Sequence, residues 1–384
     1  MKITVNTKIF KDLLKLLQKT KNICKSFNET TCTVITESDS VTLRVINNAE
    51  AMLCIRIPAS GENAPASVEE TGTMNPLLTQ LIQMTEQITD ECFTLETKNY
   101  SGSPALYISW NNGNSRLPLM DNVNENTDIF NLDKKVESSC TVVAADFSDL
   151  IESVAYATDE SDVHPVFGMI CVDMTDAATS TAFGTDGKKL ALRTKSVDDS
   201  LHRGILIPTS YAGILKKVLE SDEKATFTND NRYTVVDCGI MTLHVTHPKM
   251  KYVDARRVIP HNNPIAVTMS RNDILSCIKT AGVLTSITQN ALIITITPTI
   301  TGADVEFRGE DANFKQSSRQ TLAATTETPL EEPLQISFNT EHLHDIVTNI
   351  QGETLTLRFS DSKHAVLFVD EDGNERAILM PIVY

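Results

Sequence analysis

The feature that most constrains this chain is a supersecondary pattern written three times along it. Each copy opens with a short extended run that leads into an amphipathic helix: Thr4-Val-Asn-Thr-Lys-Ile-Phe-Lys-Asp-Leu-Leu, Val142-Val-Ala-Ala-Asp-Phe-Ser-Asp-Leu-Ile and Val267-Thr-Met-Ser-Arg-Asn-Asp-Ile-Leu. An Asn, Asp or Ser stands near each helix start, where its side-chain oxygen can accept backbone N–H groups that have no partner inside the helix. Strand-like runs rich in β-branched residues follow, such as Cys32 to Thr36, Val41 to Val45 and Ala51 to Ile57 in the first copy. A second helix is then signalled by Met74-Asn-Pro-Leu-Leu, Pro208-Thr-Ser-Tyr-Ala and Phe338-Asn-Thr-Glu-His-Leu. First and second helix starts lie roughly 63 to 69 residues apart in every copy, a regularity that marks one unit in tandem.

Each copy closes with a predicted hairpin: Phe93-Thr-Leu-Glu into Ala105-Leu-Tyr-Ile-Ser-Trp, Ala225-Thr-Phe-Thr into Met241-Thr-Leu-His-Val, and Leu355-Thr-Leu-Arg-Phe into Ala365-Val-Leu-Phe-Val. Asn229-Asp-Asn and Asp370-Glu-Asp-Gly-Asn punctuate these runs as turns. The pattern predicts three α+β domains, 1–133, 134–263 and 264–384, with linkers at Asp121 to Asp133 and Pro260-His-Asn-Asn-Pro264. Each domain is expected to carry antiparallel sheets on one side and two helices on the other. Tandem stacking of such domains predicts an arc with sheets outside and helices inside, and an arc with complementary ends closes head to tail.

A length of 384 residues agrees with two or three domains. The net charge of −16 argues against a protein that grips nucleic acid over its whole surface, and leaves room only for a local basic face. No apolar run approaches the roughly 20 residues needed to span a bilayer, and no leader-like N-terminal pattern occurs, so no membrane partner is expected and a cytoplasmic location is. The eight cysteines are scattered singly without zinc-ligand spacing and read as reduced, mostly buried side chains. Phosphate-binding glycine loops, a His-Glu-x-x-His zinc motif and a Gly-x-Ser-x-Gly elbow are missing from the sequence. Paired acids such as Asp159-Glu160 and Glu331-Glu332 sit in polar stretches and read as loops or caps. Neither catalysis nor a cofactor or metal is expected.

Three local segments, in order and correctly placed within the repeat, resemble one family. Gly184-Thr-Asp-Gly-Lys-Lys-Leu-Ala-Leu is similar to the Ala-Thr-Asp-Gly-His-Arg-Leu-Ala segment of the bacterial DNA polymerase III β sliding clamps. Asp254-Ala-Arg-Arg-Val-Ile-Pro260 resembles that family's Asp-Tyr-Arg-Arg-Val-Leu-Pro, and Ile378-Leu-Met-Pro-Ile-Val-Tyr384 its closing Val-Val-Met-Pro-Met-Arg-Leu. The resemblance spans essentially the full chain. It implies three clamp domains, a ring-shaped head-to-tail homodimer around duplex DNA, and partners in the replicative polymerase, the clamp loader and other proteins bearing short Gln- and Leu/Phe-containing tails.

The resemblance also implies a peptide pocket. Its apolar lining would be Val166, Leu190, Val258, Ile378, Met380, Pro381 and Ile382, with Thr185, Gly187, Lys188, Lys189, Val253 and Arg257 on the rim and cleft wall, and Lys363 and Ala365 beside them. Such a concave apolar site suits extended peptides anchored by Leu and Phe. Several positions depart from the family pattern: Lys188 and Lys189 replace His and Arg, Val253 replaces Pro, Lys363 stands where an apolar residue is usual, and Val383 replaces an Arg. Arg and Lys are not interchangeable where a planar donor is used, so a shifted peptide preference is expected.

On the first helix Lys8, Lys11, Lys15 and Lys19 form a stripe opposite Phe10, Leu13, Leu14 and Leu17, extended by Lys21 and Lys25. Alone it reads as a solvated face; within a clamp it would face the DNA. Lys216, Lys217, Arg271 and Lys279 are further candidates, whereas Asp146, Asp149 and Glu152 make the middle domain's first helix acidic. Weak, sequence-independent phosphate contacts suffice for a closed ring. Ring closure would bring Leu117 and Leu119 against Val283 and Leu284 of a second copy. The competing reading is a scaffold of the same fold that never loads on DNA.

Overall fold

The computed structural model describes residues 1–23, 30–47, 51–120, 138–159, 164–229, 233–246, 251–285, 290–311, 314–327, 330 and 332–382. The chain divides into two compact units, one of Met1–Ser148, Asp199–Leu201 and Ser210–Pro248, the other of Asp149–Asp198, His202–Thr209 and Lys249–Tyr384. Every strand pairing among the described residues is antiparallel.

The first unit holds two sheets. Strands β1 (Lys2–Asn6), β5 (Ala66–Glu70), β7 (Cys92–Tyr100), β8 (Ser103–Trp110) and β9 (Gly113–Pro118) form a five-stranded sheet in the order β5-β1-β7-β8-β9. An eight-stranded sheet joins β10 (Ser138–Val143), β15 (Lys224–Asn229), β16 (Tyr233–Cys238), β17 (Met241–Thr246), β4 (Ala51–Pro58), β3 (Ser40–Asn47), β2 (Thr33–Thr36) and β6 (Gly72–Met74), in that order. Helix α1 (Thr7–Ile23) buries Phe10, Leu14 and Leu17, three or four residues apart, so one stripe enters the core. Phe10 meets Phe93 of β7 edge-on at 5.5 Å. Each such side chain contributes about 1.5–3 kcal/mol on burial. Helices α2 (Leu78–Glu86) and α4 (Ala212–Leu219) complete the unit, and α3 (Ala144–Ala155) is divided between the two units.

The second unit is built on one twelve-stranded sheet. Its order is β14 (Arg203–Pro208), β11 (Met169–Met174), β12 (Thr179–Thr185), β13 (Lys189–Ser196), β25 (Glu375–Leu379), β24 (Val366–Val369), β23 (Thr354–Phe359), β18 (Ile265–Ser270), β21 (Gln316–Thr326), β20 (Gly302–Asp311), β19 (Ala291–Thr299) and β22 (Leu334–Asn339). Helix α5 (Arg271–Gly282) turns Ile274, Cys277, Ile278 and Ala281 into the core, and α6 (Thr340–Asn349) turns in Leu343, Ile346 and Val347. They pack on Phe307, Phe338, Phe359 and Phe368 of the sheet.

All six helices stand where the repeat predicts them. Side-chain capping holds at three of these starts: Asn6 Oδ1 accepts from Ile9 N at 3.2 Å, Ser270 Oγ from Asp273 N at 3.4 Å, and Asn339 Oδ1 from Glu341 N and His342 N. It fails at α2 and α4, which are entered without a side-chain cap, α2 from an extended Leu77 and α4 through a 3-10 turn, Thr209–Tyr211. The expected middle hairpin also needs correction. Tyr233–Cys238 is itself a strand, β16, paired to β15 on one side and β17 on the other, so Asn229 leads into a meander instead of a single hairpin. Two pairings cross the limits read from the repeat: β4 with β17, and β13 with β25. The polar stretch Asp121 to Asp133, and Glu160 and Glu331 of the paired acids, lie outside the described residues. No described helix is long and apolar enough to cross a membrane.

Candidate functional site

Alternation along one sheet edge organises the candidate pocket. Lys189, Leu379 and Val366 pair as one row across β13, β25 and β24, Leu190, Ile378 and Leu367 as the row beside it, and beyond the strand ends Met380 N donates to Lys188 O at 3.1 Å. Successive residues of a strand point to opposite faces. Leu190, Ile378 and Leu367 therefore share the face opposite to Lys189, Leu379 and Val366, and there they join Phe183, Leu192 and Ala255 in a small core. Tyr252, Ile259 and Ala365 pack against that core, which fastens the segment 251–259 over the sheet.

The predicted lining thus separates into two layers. Leu190 and Ile378 are 3% and 2% exposed and form the floor, while Val258, Met380 and Val253 stand 50%, 47% and 38% exposed above it. Pro381 and Ile382 are half-buried, with Ile382 N donating to Ser337 O at 2.7 Å. Val166 sits half-buried in a 3-10 turn, Pro165–Gly168, whose Phe167 ring lies against Gly187. Val383 lies outside the described residues.

A tight turn presents the lysines. Asp186 accepts from the backbone of Lys188 and Lys189 at 2.8 and 2.7 Å, and Thr185 Oγ1 donates to Lys189 O at 2.7 Å while accepting from Gly187 N. Gly187 has φ +86°, and a Cβ there would stand 2.9 Å from the Phe167 ring. A Cβ on Gly184 would lie 2.3 Å from the Val154 carbonyl oxygen, so helix α3 and strand β12 approach closely only through a glycine.

Lys189 departs from its expected place on the rim. It turns inward where Lys188 is exposed: it is 6% exposed, and its Nζ lies 2.6 Å from Asp345 on α6 and 4.0 Å from Asp186. His342 Nδ1 lies 3.7 Å from the same Asp186, and burial lowers the His342 pKa against the opposing pull of that carboxylate. Asp345 and His342 carry no signal in the sequence, because only the strand register shows which lysine turns inward.

On the rim, Lys188 and Lys363 are exposed, and among the described residues neither ammonium has an ionic or hydrogen-bonding partner. Arg257 is exposed and paired with Asp254 at 2.8 Å. Val253 and Arg257 also border a cleft of about 610 Å³ that includes Cys171, Phe183, Leu206, Tyr252 and the Asp173–Arg256 ion pair. Burial raises the Cys171 thiol to about 12, which makes it a poor nucleophile.

The basic candidates fall into two groups. Lys8, Lys15, Lys19 and Lys279 are exposed. Lys11 instead donates from Nζ to Glu86 O and Ile88 O at the C-terminal end of α2, at 3.1 and 2.6 Å. Arg271 does the same at the end of α6, donating from Nε to Val347 O at 2.9 Å and from Nη2 to Thr348 O. Cations at these carbonyls satisfy acceptors that have no partner in their own helix. Lys217 pairs with Glu220, and Lys216 is half-buried. Asp149 of α3 pairs with Arg193 and Lys195. Lys21 lies within α1, and Lys25 lies outside the described residues. Of the predicted interface, Leu117 is buried, Leu119 and Leu284 are half-buried, and Val283 is 77% exposed. No described group of His, Cys, Asp and Glu could hold a metal ion.

No family model matches the sequence. A β sliding clamp of Rickettsia bellii is 21% identical over 277 residues, 69% of each chain. Among solved structures, the DNA polymerase sliding clamp of Bacillus subtilis superimposes with a TM-score of 0.87 at 15% identity, covering 100% of this chain and 99% of the other. The DNA polymerase III β subunit of Pseudomonas aeruginosa bound to griselimycin gives 0.86 at 16% over 100% of both, and that of Thermotoga maritima 0.83 at 16% over 100% and 99%. The chain has the sliding-clamp fold from end to end.

Proposed function

We propose that this chain is a divergent bacterial-type sliding clamp: a non-catalytic processivity factor that closes as a head-to-tail homodimer around duplex DNA in the cytoplasm and tethers the replicative polymerase, the clamp loader and related proteins by their peptide tails. The observation that carries this reading is the superposition of the whole chain on sliding clamps of several bacteria. The division at 1–133, 134–263 and 264–384 is then the domain plan of the ring's half. Peptide tails would bury their apolar anchors on Val258, Met380, Pro381 and Ile382 above the Leu190 and Ile378 floor.

Closure draws on two open edges. Strand β9 is the last of its sheet, and among the described residues β21 pairs β18 only at Thr325 and Thr326, leaving the run from Gln316 open on one side. Unpaired edges are templates for another chain. Leu117 and Leu119 adjoin the first edge, while Val283 and Leu284 lie at the end of α5. DNA contact would fall to Lys8, Lys15, Lys19 and Lys279, with Lys21, Lys25, Lys216 and Lys217 in support; Lys11 and Arg271 are committed to helix ends.

That commitment favours the second reading, a scaffold with this fold that never encloses DNA. One experiment separates the two. A clamp has the mass of two chains by light scattering and, once loaded, stays on nicked circular DNA but runs off after linearisation. A single chain that dissociates from both forms overturns the clamp reading.

A further inference from the structure

Two large apolar side chains stand in solvent beside the open strand edges. Phe314 is 71% exposed on the turn that leads into β21, and Met120 is 39% exposed just past the end of β9. Phe314 shares its end of the β20–β21 hairpin with the exposed Val283, because β20 runs directly under the end of α5: a Cβ on Gly309 would collide with Ala281 O and stand 3.3 Å from Thr285. Neither edge strand carries a carboxylate; β9 reads Gly-Asn-Ser-Arg-Leu-Pro and β21 Gln-Ser-Ser-Arg-Gln-Thr-Leu-Ala-Ala-Thr-Thr. Each carries one exposed arginine: Arg116, which lies over the Tyr100 ring, and Arg319. One strand in from β21, on β20, Glu310 is paired with Arg308 at 3.5 Å.

Antiparallel addition of β9 from one copy to β21 of the next, the pairing sense of the described strands, sets the end of β9 against the start of β21. With the strand ends level, Leu119 and Met120 come to Phe314, and Arg116 falls within about one residue of Arg319. An aromatic anchor taken out of water strengthens such a contact, whereas like charges on facing strands weaken it. Resting on the head-to-tail homodimer reading above, we propose that a second copy of this chain is held by Phe314 packing on its Leu119 and Met120, against repulsion between Arg116 and Arg319, so that salt tightens the closed contact. Screening acts on the exposed arginines and leaves the apolar anchor untouched.

Sedimentation equilibrium on the full-length protein tests this. The monomer–dimer dissociation constant of the unaltered chain should fall about 2- to 5-fold between about 50 and 500 mM salt, the reverse of an ion-paired interface. F314S should raise the constant by at least about 10-fold at both salts, through loss of one buried aromatic anchor in each of two identical contacts. Phe314 is exposed within one chain, so F314S should keep the circular dichroism of the unaltered protein. R319E sets a carboxylate near Arg116 and should tighten the dimer about 2- to 10-fold at low salt, a gain that R116E/R319E should lose. An F314S constant within about twofold of the unaltered one, an unaltered constant that does not fall with salt, or an R319E dimer no tighter than the unaltered one each overturns the proposal. A single-chain mass for the unaltered protein at every concentration overturns the homodimer reading itself, and the proposal with it.

Discussion

At the scale of single residues, Lys188 and Lys189 are neighbours with opposite fates. Nothing in the sequence separates them, since a one-step change in strand register would exchange their faces. The apolar lining and Gly187 were expectations of the family resemblance; the inward lysine with its Asp345 partner was not legible, because 156 residues separate the pair. Removing one partner of a buried ion pair strands the other charge. D345A should therefore destabilise the protein by about 2 kcal/mol, less than for a fully buried pair because Asp345 is 42% exposed, and K189M/D345L should recover most of the loss in thermal unfolding. His244 on β17 supplies a pH response. Burial lowers its pKa from 6.5 to about 4, so the unfolded chain takes up a proton before the folded one does. Stability from this group is complete above about pH 6.5 and falls by up to about 3 kcal/mol as pH drops toward 4. H244Q should flatten that slope in denaturant titrations at pH 4.5 and 7, and an unchanged slope would mean that other groups set it.

At the scale of elements, the first and last helix pairs share a device: a cation on the earlier helix donates to carbonyls at the end of the later one. The stripe on α1 was legible, but a lysine that caps and one that faces water have the same spacing. The two roles part under mutation. R271A should cost about 1–2 kcal/mol by loss of charge-assisted hydrogen bonds. Exchange of Lys8, Lys15 and Lys19 together for Ala should leave the unfolding temperature unchanged while shortening retention on nicked circular DNA as salt rises. A drop in unfolding temperature with normal retention would make that stripe structural. The six helices were readable because amphipathic spacing and flanking strands recur in each copy. Strand β16 was missed because Asn229-Asp-Asn fits a turn equally well in a hairpin or a meander, and only partner strands distinguish them.

At the scale of the whole molecule, the threefold pattern and the sheets do not share limits. Periodicity in sequence reports where elements recur, whereas hydrogen bonding runs on through β4 to β17 and through β13 to β25. All four strands carry mostly or half buried residues, and their backbone groups need pairing. A fragment of residues 1–133 should accordingly associate or aggregate when expressed alone, while the full chain remains disperse in sedimentation; a monomeric, cooperatively folding fragment would show that the β4 edge can do without its partner. The same pairing sets a schedule at the ribosome. Strand β4 leaves the exit tunnel about 190 residues ahead of β17, and at bacterial to eukaryotic elongation rates its edge waits about 10–40 s for a partner. Through that interval the nascent chain carries an open β-edge, a template for pairing with other chains before its own partner is made.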